Sequence, residues 1–297
     1  MKINDLNIAF TVLFSLFLAI DSYSQVLPSY HAVHHKKENS GSSSDNAAES
    51  CKEILDNYPS SSDGVYWINL PTVGATQCYC LMDSNYDGGG WTLAMKASNG
   101  TTCKYSANYW TTSNTLNETN DNRDDGDAKY EVMNHFLAKD MMAIFPDISN
   151  IGTESGSIDN LTTWSWLEND FYNTGSRITL LSIFSGSTVT LSGTDIDRTN
   201  SDPRNEFDGF HSTYFSYQTR SDGTHYKFYG FNKNYSNRSV RWGLLWNNER
   251  TINTGDCASG IGLHSKWGNF SAGDKFTWNK VNSKGMNRSA RVEIYVR

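Results

Sequence analysis

The chain has 297 residues and a formal net charge of −7, from 25 basic and 32 acidic side chains. No dense cluster of Lys and Arg occurs along it, which disfavours nucleic acid or an anionic membrane as a partner. The 9 Trp, 16 Tyr and 14 Phe residues, interrupted by 23 Gly, are typical of a loop-rich domain with short strands and an aromatic core.

The N-terminus has the pattern of a signal peptide. Lys2 precedes the apolar run 8–20, and the small residues Ser22 and Ser24 follow it. The run is short for a bilayer span, and no later segment approaches the length required. We predict that residues 1–24 are a cleaved signal peptide and that the mature protein is secreted; the alternative is an uncleaved anchor.

Residues 25–50 are predicted to be a disordered linker. They include His31, His34 and His35 and a polar, Ser-rich run that cannot bury apolar surface. The three histidines suit a transition metal, but a solvated spacer is the preferred interpretation because no carboxylate or thiolate lies at ligand spacing. Residues 51–297 show no Pro- or Ser-rich break and are predicted to form one domain.

Short strands outnumber helices in this domain, which predicts an α+β fold with a mainly antiparallel sheet and few short helices. The best helix candidate is Tyr130–Ile144, where apolar residues recur at helical spacing from Val132 to Met141 before Pro146. The predicted strands are Val65–Asn69, Cys78–Met82, Trp91–Lys96, Arg177–Phe184, Thr188–Leu191, His225–Phe231, Val240–Trp246 and Arg291–Val296.

The segment 78–95 is predicted to be two strands joined by a crowded turn. The apolar runs Cys78–Met82 and Trp91–Met95 flank a cluster of Asp, Ser, Asn and Gly residues. The three glycines 88–90 indicate a backbone with positive φ, or one on which another group packs directly. Trp91, which follows them at once, is predicted to lie fixed in the core.

This segment resembles the opening of a fibrinogen-like domain, and later motifs are similar to the intelectin branch (X-type lectins). The resemblance covers about residues 51–297 and implies a fibrinogen-like fold with a disulfide between Cys51 and Cys80. The motifs that carry it are Cys51-Lys-Glu-Ile54, Cys80-Leu-Met-Asp83, Asp87-Gly-Gly-Gly-Trp91-Thr-Leu93, Ala138-Lys-Asp140 and Asn247-Asn-Glu-Arg250 with Cys257 after it.

Five cysteines cannot all pair within one chain. Cys103 could bond Cys257, or either could bond Cys78. The sulfur that remains is then buried or links two copies of the chain.

Acidic residues are concentrated in the segments 121–127 and 195–208. Such clusters are unfavourable unless a cation neutralises them, and outside the cell the available hard cation is Ca²⁺. The segment 83–88 imitates half of an EF-hand loop, but Ala94 stands at the last ligand position. The cluster 121–127 has Arg123 where a ligand belongs, so neither segment is predicted to be an EF-hand.

The resemblance implies structural Ca²⁺, because intelectins hold calcium partly through aspartates in the Ala-Lys-Asp segment and in a Gly-Asp near the C-terminus. The matching residues are Asp140 and Asp274, with Asp125 and Asp127 as further candidate ligands. The alternative is that Asp140 continues a solvated helix face and that Asp274 belongs to a turn.

Intelectins bind the vicinal diol of a sugar through a calcium ion, with aromatic rings around the rest of the ligand. The resemblance places part of this site at Asn247, Asn248 and Glu249. The His- and Glu-containing loop that follows in intelectins is missing here. The candidate replacements, polar or aromatic residues further along, are His264 and Trp267, with Asp256 and Trp278 as alternatives.

Seven Asn-x-Ser/Thr sequons indicate N-glycosylation in a secretory pathway. The least favoured is Asn287, just before the last predicted strand. The six predicted sites are Asn99, Asn117, Asn160, Asn234, Asn237 and Asn269.

Together these features predict a secreted, calcium-dependent, lectin-like protein that recognises glycans. The alternative is an extracellular matrix or adhesion protein that contacts proteins or mineral and binds no sugar. A disulfide-linked oligomer is one option in either case. An enzyme is disfavoured, because the sequence has no Gly-x-Ser-x-Gly, His-Glu-x-x-His or Cys-x-x-Cys motif and nothing sets two acids opposite each other.

Overall fold

Two antiparallel sheets and three short α-helices make up the part of the chain that the computed structural model describes, residues 39–149, 163–168, 175–191, 226–235, 238–247, 257–265, 268–276 and 287–297. Residues Asn39–Arg297 belong to one compact unit. The predicted α+β class, mainly antiparallel with few short helices, is therefore confirmed for this part. None of its helices has the length and hydropathy needed to cross a membrane.

The strands, in chain order, are β1 (Gly64–Leu70), β2 (Gly74–Leu81), β3 (Trp91–Ala97), β4 (Ala128–Lys129), β5 (Met141–Ser149), β6 (Thr163–Glu168), β7 (Val189–Thr190), β8 (Tyr226–Asn234), β9 (Arg238–Asn247), β10 (Cys257–Ser265), β11 (Gly268–Phe276), β12 (Asn287–Ser289) and β13 (Val292–Val296). The first sheet has the order β1-β2-β3-β13-β5-β6, with β4 beside β3. The second has the order β12-β11-β10-β9-β8-β7.

The helices are α1 (Cys51–Asn57), α2 (Glu131–His135) and α3 (Leu180–Ser185), with 3₁₀ turns at Ser44–Asn46 and Asn108–Trp110. Helix α1 begins after Ser50, whose hydroxyl accepts a hydrogen bond from the backbone N–H of Glu53. Thr179 caps α3 in the same way, through the N–H of Ser182. Both caps satisfy backbone donors that a helix start leaves open.

Two predicted elements are wrong. The helix predicted over 130–144 ends at His135, and Met141 already begins β5, which pairs with β13 and β6. A strand buried on both faces has a continuous apolar run, which sequence periodicity does not separate from a buried helix. The predicted strand Arg177–Phe184 is instead an isolated bridge at Ile178 followed by α3.

The predicted linker 25–50 is also too long at its C-terminal end. Gly41 accepts a hydrogen bond of 2.8 Å from the N–H of Trp67, and Ala48 exchanges bonds of 3.0 and 2.7 Å with Trp67 and Asn69. Residues 39–50 therefore dock on β1 through their backbone, which their polar composition does not reveal. Residues 1–38, with the predicted signal peptide, lie outside the described residues.

One large cluster of buried apolar side chains draws on both sheets. Rings connect its parts: Trp110 and Phe184 have centroids 4.9 Å apart, Phe184 and Phe231 5.8 Å, and Phe231 and Trp242 6.0 Å. A smaller cluster, which includes Phe228, belongs to the second sheet. The aromatic core predicted from the composition is present.

The predicted disulfide between Cys51 and Cys80 is confirmed, with Cα atoms 5.5 Å apart across 29 residues of sequence. It fastens α1 to β2, and the hydroxyl of Thr92 in β3 donates to the Cys51 sulfur over 3.0 Å. Closing a loop of this length stabilises the fold by about 3 to 4 kcal/mol in the chain-entropy description.

Four glycines stand side by side across the second sheet: Gly230 in β8, Gly243 in β9, Gly260 in β10 and Gly273 in β11. All four have φ between 133° and 152°. At Gly230 a Cβ atom would lie 2.0 Å from the carbonyl oxygen of Val189. The close approach of β7 to β8 therefore requires glycine there.

Candidate functional site

The turn between β2 and β3 is built around its three glycines. Gly88, Gly89 and Gly90 have φ of 80°, 71° and 78°, as the sequence predicts. A Cβ atom at Gly89 would lie 2.3 Å from the carbonyl oxygen of Met82. Trp91, fully buried, donates its indole N–H to the carbonyl of Tyr86 over 2.7 Å. Tyr86, Gly89 and Trp91 thus pack the turn against the core.

Arg297 binds the backbone of this turn. Its Nη1 donates to the carbonyl oxygens of Asp87 and Gly89, and its guanidinium lies 4.1 Å above the ring of Trp91. Its Nη2 lies 2.7 Å from Asp87 Oδ2 and 3.4 Å from Asp140 Oδ2. Asp140, one of the predicted calcium ligands, is therefore next to a cation of the protein itself.

The segment 120–127, called here the acidic loop, surrounds the ammonium group of Lys96. The Lys96 side chain is only 1% exposed. Its Nζ lies 2.5 Å from Asp124 Oδ1, 2.7 Å from the Asn122 carbonyl oxygen, 3.1 Å from Asn120 Oδ1 and 3.3 Å from Asn122 Oδ1. The hydrogen bond from Lys96 is the main cause that lowers the pKa of Asp124 to about 2.

The two predicted calcium ligands in the acidic loop have different surroundings. Asp127 Oδ1 accepts from the N–H and the hydroxyl of Ser98, at 2.7 and 2.9 Å, and its Oδ2 accepts from the Thr102 hydroxyl at 2.6 Å. Asp125 is exposed. Asp127 therefore holds the loop after β3, and Asp125 lies at the surface.

Arg123, which occupies a ligand position in the EF-hand comparison, binds a buried carboxylate. Its Nε donates to Glu293 Oε2 over 2.8 Å, while Arg291 Nη2 donates to Oε1 over 2.7 Å and the Tyr295 hydroxyl to Oε2 over 2.9 Å. Burial, followed by the Glu293 charge, raises the pKa of Tyr295 well above its ordinary value. The cluster joins the acidic loop to β13.

The four predicted calcium ligands do not meet at one place. Asp125 and Asp127 lie in the acidic loop, Asp140 precedes β5, and Asp274 lies in β11 of the other sheet. The described part of the chain contains no group of three or more His, Cys, Asp or Glu side chains that could hold a metal ion. Asp127 accepts hydrogen bonds at both carboxylate oxygens, and Asp140 Oδ2 lies 3.4 Å from Arg297 Nη2.

The predicted sugar-binding residues are also divided. Asn247 ends β9 and pairs with Tyr226 of β8. His264 of β10 pairs with Ser239, eight residues earlier in β9. That separation is about 27 Å along the strand. Asn248, Glu249 and Trp267 lie outside the described residues, and so do the alternatives Asp256 and Trp278.

His264 instead contacts a predicted glycosylation site. Its Nδ1 lies 2.7 Å from Oδ1 of Asn269, the residue paired with it across the β10–β11 hairpin. The contact joins the two strands of the hairpin close to its turn. His264 therefore lies at the opposite end of the sheet from Asn247. A shared binding site would require His264 and Asn247 to be neighbours, and they are not.

Asp274 lies closer to Asn247 than His264 does. The register sets Asp274 opposite Ser259, which faces Leu244 in β9, three residues before Asn247. The Cα atoms are thus about 10 Å apart along the strands and about 10 Å apart across them. Both positions lie towards the end of the second sheet at which β9 stops, but Leu244 and Asn247 are three residues apart, so strand alternation sets Asp274 and Asn247 on opposite faces of the sheet.

The predicted sequons differ in exposure. Asn99, Asn117 and Asn234 are exposed, and Asn269 is half-buried. Asn160 and Asn237 lie outside the described residues. The exposed three lie in a bend after β3, in the loop before the acidic loop and at the end of β8.

The pairings considered for Cys78 and Cys103 are not formed, because both are free, buried thiols. Burial is the main cause that raises the pKa of Cys78 to about 12 and also raises that of Cys103. The N–H of Cys103 donates to the Ser271 hydroxyl, five residues from Phe276, the partner of Cys257. This is about 17 Å along the strand, too far for a disulfide.

Sequence reasoning missed Lys96, Glu293 and Arg297, which neutralise or carry the charges of this region. The available signal was a single charged residue inside an apolar strand pattern, at Lys96 in β3 and at Glu293 in β13. Such residues are usually placed on a solvated face. In both strands the structure buries them instead.

No protein-family model matches this chain, and no curated protein matches it in sequence.

Proposed function

We propose that this chain is a secreted, lectin-like recognition protein that binds glycans at the end of the second sheet where β9 stops. The observation that carries the proposal is the register of that sheet. It brings Asn247, the last residue of β9, to the same end as Asp274 of β11. Asn247 belongs to a motif through which the chain resembles intelectins, and Asp274 is a calcium ligand that this resemblance implies.

The chemistry at this end suits a sugar. Amide and carboxylate oxygens accept hydrogen bonds from sugar hydroxyls, and aromatic rings stack on the apolar faces of sugars. The register puts Tyr226 opposite Asn247, and Trp246 opposite Cys257. A polar and an aromatic residue are therefore paired at the last position of β9, directly before the segment 248–256.

Secretion is part of the same proposal. The Cys51–Cys80 disulfide is a feature of oxidising compartments. Exposed sequons at Asn99, Asn117 and Asn234 and the signal-peptide pattern over 1–24 agree with passage through a secretory pathway. The resemblance also implies Ca²⁺ at the ligand site, and the experiment tests that dependence separately.

A glycan array probed with the purified, disulfide-bonded protein tests the proposal. One arm contains Ca²⁺ and the other a chelator. Binding of a defined glycan class in the Ca²⁺ arm supports the lectin function, and its loss in the chelator arm supports a calcium-dependent site. Absence of glycan binding in both arms would contradict the proposal and favour the matrix or adhesion alternative.

A further inference from the structure

We propose that the ammonium group of Lys96 is the permanent cation of the acidic loop, so that the loop folds without a metal ion. We propose also that removal of this amine converts the loop into a weak Ca²⁺ site. Neither statement rests on glycan binding.

The oxygen atoms around Lys96 are of the kinds that bind Ca²⁺. They comprise one carboxylate oxygen from Asp124, one backbone carbonyl from Asn122 and side-chain amide oxygens from Asn120 and Asn122. Calcium sites combine these oxygen types, often from a single short loop. An ammonium group has three N–H donors and no acceptor, so it fits an all-oxygen shell.

The loop is shaped around its cation by its own hydrogen bonds. Asp124 Oδ1 also accepts from the N–H of Gly126 at 2.9 Å and from Asn120 Nδ2 at 3.2 Å. The N–H of Asp124 donates to Asn122 Oδ1 over 2.8 Å. A Cβ atom at Gly126 would lie 2.7 Å from Asn120 Nδ2, so the bend is tight.

The sheet fixes the position of the ammonium group. Lys96 lies in β3, paired with Ala128 of β4 on one side and Glu293 of β13 on the other. Its side chain has almost no exposure, whereas Asp124 is 44% exposed on the outside of the loop. The ammonium group of Lys96 is thus enclosed by the acidic loop, and the carboxylate of Asp124 lies towards the solvent. A loop that wraps around a bound metal ion has the same arrangement of charge.

Charge balance explains why the loop needs a cation. A buried ammonium is costly unless hydrogen-bonded oxygens and an opposite charge compensate it. In the same way, Asp124 and the inward-facing oxygens would repel one another without a positive charge between them. Each half of the arrangement stabilises the other, and a second cation has no place beside the ammonium.

Thermal unfolding of three proteins tests the proposal: the wild type, Lys96→Met and the control Lys52→Met. Lys52 pairs with Asp56 on the exposed face of α1, so its removal should change the melting temperature little. We expect Lys96→Met to melt well below the wild type and to regain part of the loss in millimolar Ca²⁺. A Lys96→Met melting temperature equal to that of the wild type would overturn the first statement, and a lowered melting temperature that Ca²⁺ does not raise would overturn the second.

The Asp124→Asn variant separates the acidic loop from any other Ca²⁺ site. If Ca²⁺ raises the melting temperatures of the wild type and of Asp124→Asn equally, the ion binds outside the acidic loop, which agrees with the proposal. The absence of a rise in both proteins agrees with it as well. A rise in the wild type that Asp124→Asn abolishes would place a metal ion in the loop and contradict it.

Acetylation of the native wild type keeps the test open if Lys96→Met does not fold. Amine-reactive reagent followed by peptide mass spectrometry should label Lys52 readily and leave Lys96 unlabelled until the protein is denatured. Equal labelling of both lysines in the native protein would contradict an enclosed ammonium.

Discussion

The carboxylate of Glu293 is fully buried, and its Oε2 accepts a hydrogen bond of 2.8 Å from Nε of Arg123 in the acidic loop. This pair connects the acidic loop to strand β13, which lies in the middle of the first sheet. The acidic loop is therefore held from two directions, by Arg123 at Glu293 and by Lys96 at its centre.

Replacing Glu293 with Gln should be strongly destabilising. The change leaves the guanidinium groups of Arg123 and Arg291 without a buried countercharge, and breaking such a cluster costs about 3 kcal/mol in the free energy of unfolding. Glu131→Gln, which removes a half-exposed pair with His135, should cost less than about 1 kcal/mol. Urea unfolding measures both; equal effects would contradict the role given to Glu293.

The glycine turn offers a matched comparison of two alanine substitutions. Gly89 and Gly74 both have positive φ, but a Cβ atom meets Met82 at Gly89 and nothing within 4 Å at Gly74. Gly89→Ala should therefore lower the free energy of unfolding by about 2 kcal/mol more than Gly74→Ala. If the two variants unfold at the same urea concentration, the packing described for this turn is incorrect.

Lys129 predicts a specific pH dependence. Its side chain is fully buried, its Nζ donates to the carbonyl of Thr112 over 2.5 Å, and loss of solvation lowers its pKa from 10.5 to about 8. Between these values the unfolded chain binds more protons than the folded one, so this group makes stability rise with pH.

The comparison with Lys129→Met isolates that contribution. The free energy of unfolding of the wild type minus that of Lys129→Met should rise between pH 8 and 10, by at most about 1.4 kcal/mol per pH unit. A difference that stays constant or falls over this range would show that the Lys129 ammonium retains its ordinary pKa in the folded protein.

The thiols of Cys78 and Cys103 should resist alkylation in the native protein. Both are buried and both have raised pKa values, so little thiolate is exposed to reagent. Iodoacetamide followed by peptide mass spectrometry should modify them only after denaturation. Rapid native labelling of Cys103 would contradict its enclosed position beside Ser271.

Local patterns were enough to predict much of the first sheet. Alternating apolar residues and the glycine turn identify β1, β2 and β3, and the cysteine motif of the resemblance gives the confirmed disulfide. The strands β10 and β11 could not be found this way. Their sequences, Cys257–Ser265 and Gly268–Phe276, are rich in Gly and Ser and show little alternation.

The candidate site was harder to predict than the fold. Acidic residues close in sequence indicate a cation but do not reveal whether a metal ion or a protein side chain supplies the charge. Lys96 comes from a strand 24 residues before Asn120 and 28 before Asp124, so only the tertiary structure brings them together. In the same way, the separation of Asn247 from His264 follows from strand register alone.

The most direct test of the account is the affinity of the best array glycan for three proteins: the wild type, Asn247→Ala and His264→Gln. If glycans bind where β9 ends, Asn247→Ala should weaken binding by about tenfold or more, roughly 1.4 kcal/mol. His264→Gln, at the other end of the sheet, should leave the Kd unchanged. The reverse pattern, or equal loss in both variants, would contradict the proposed position of the site.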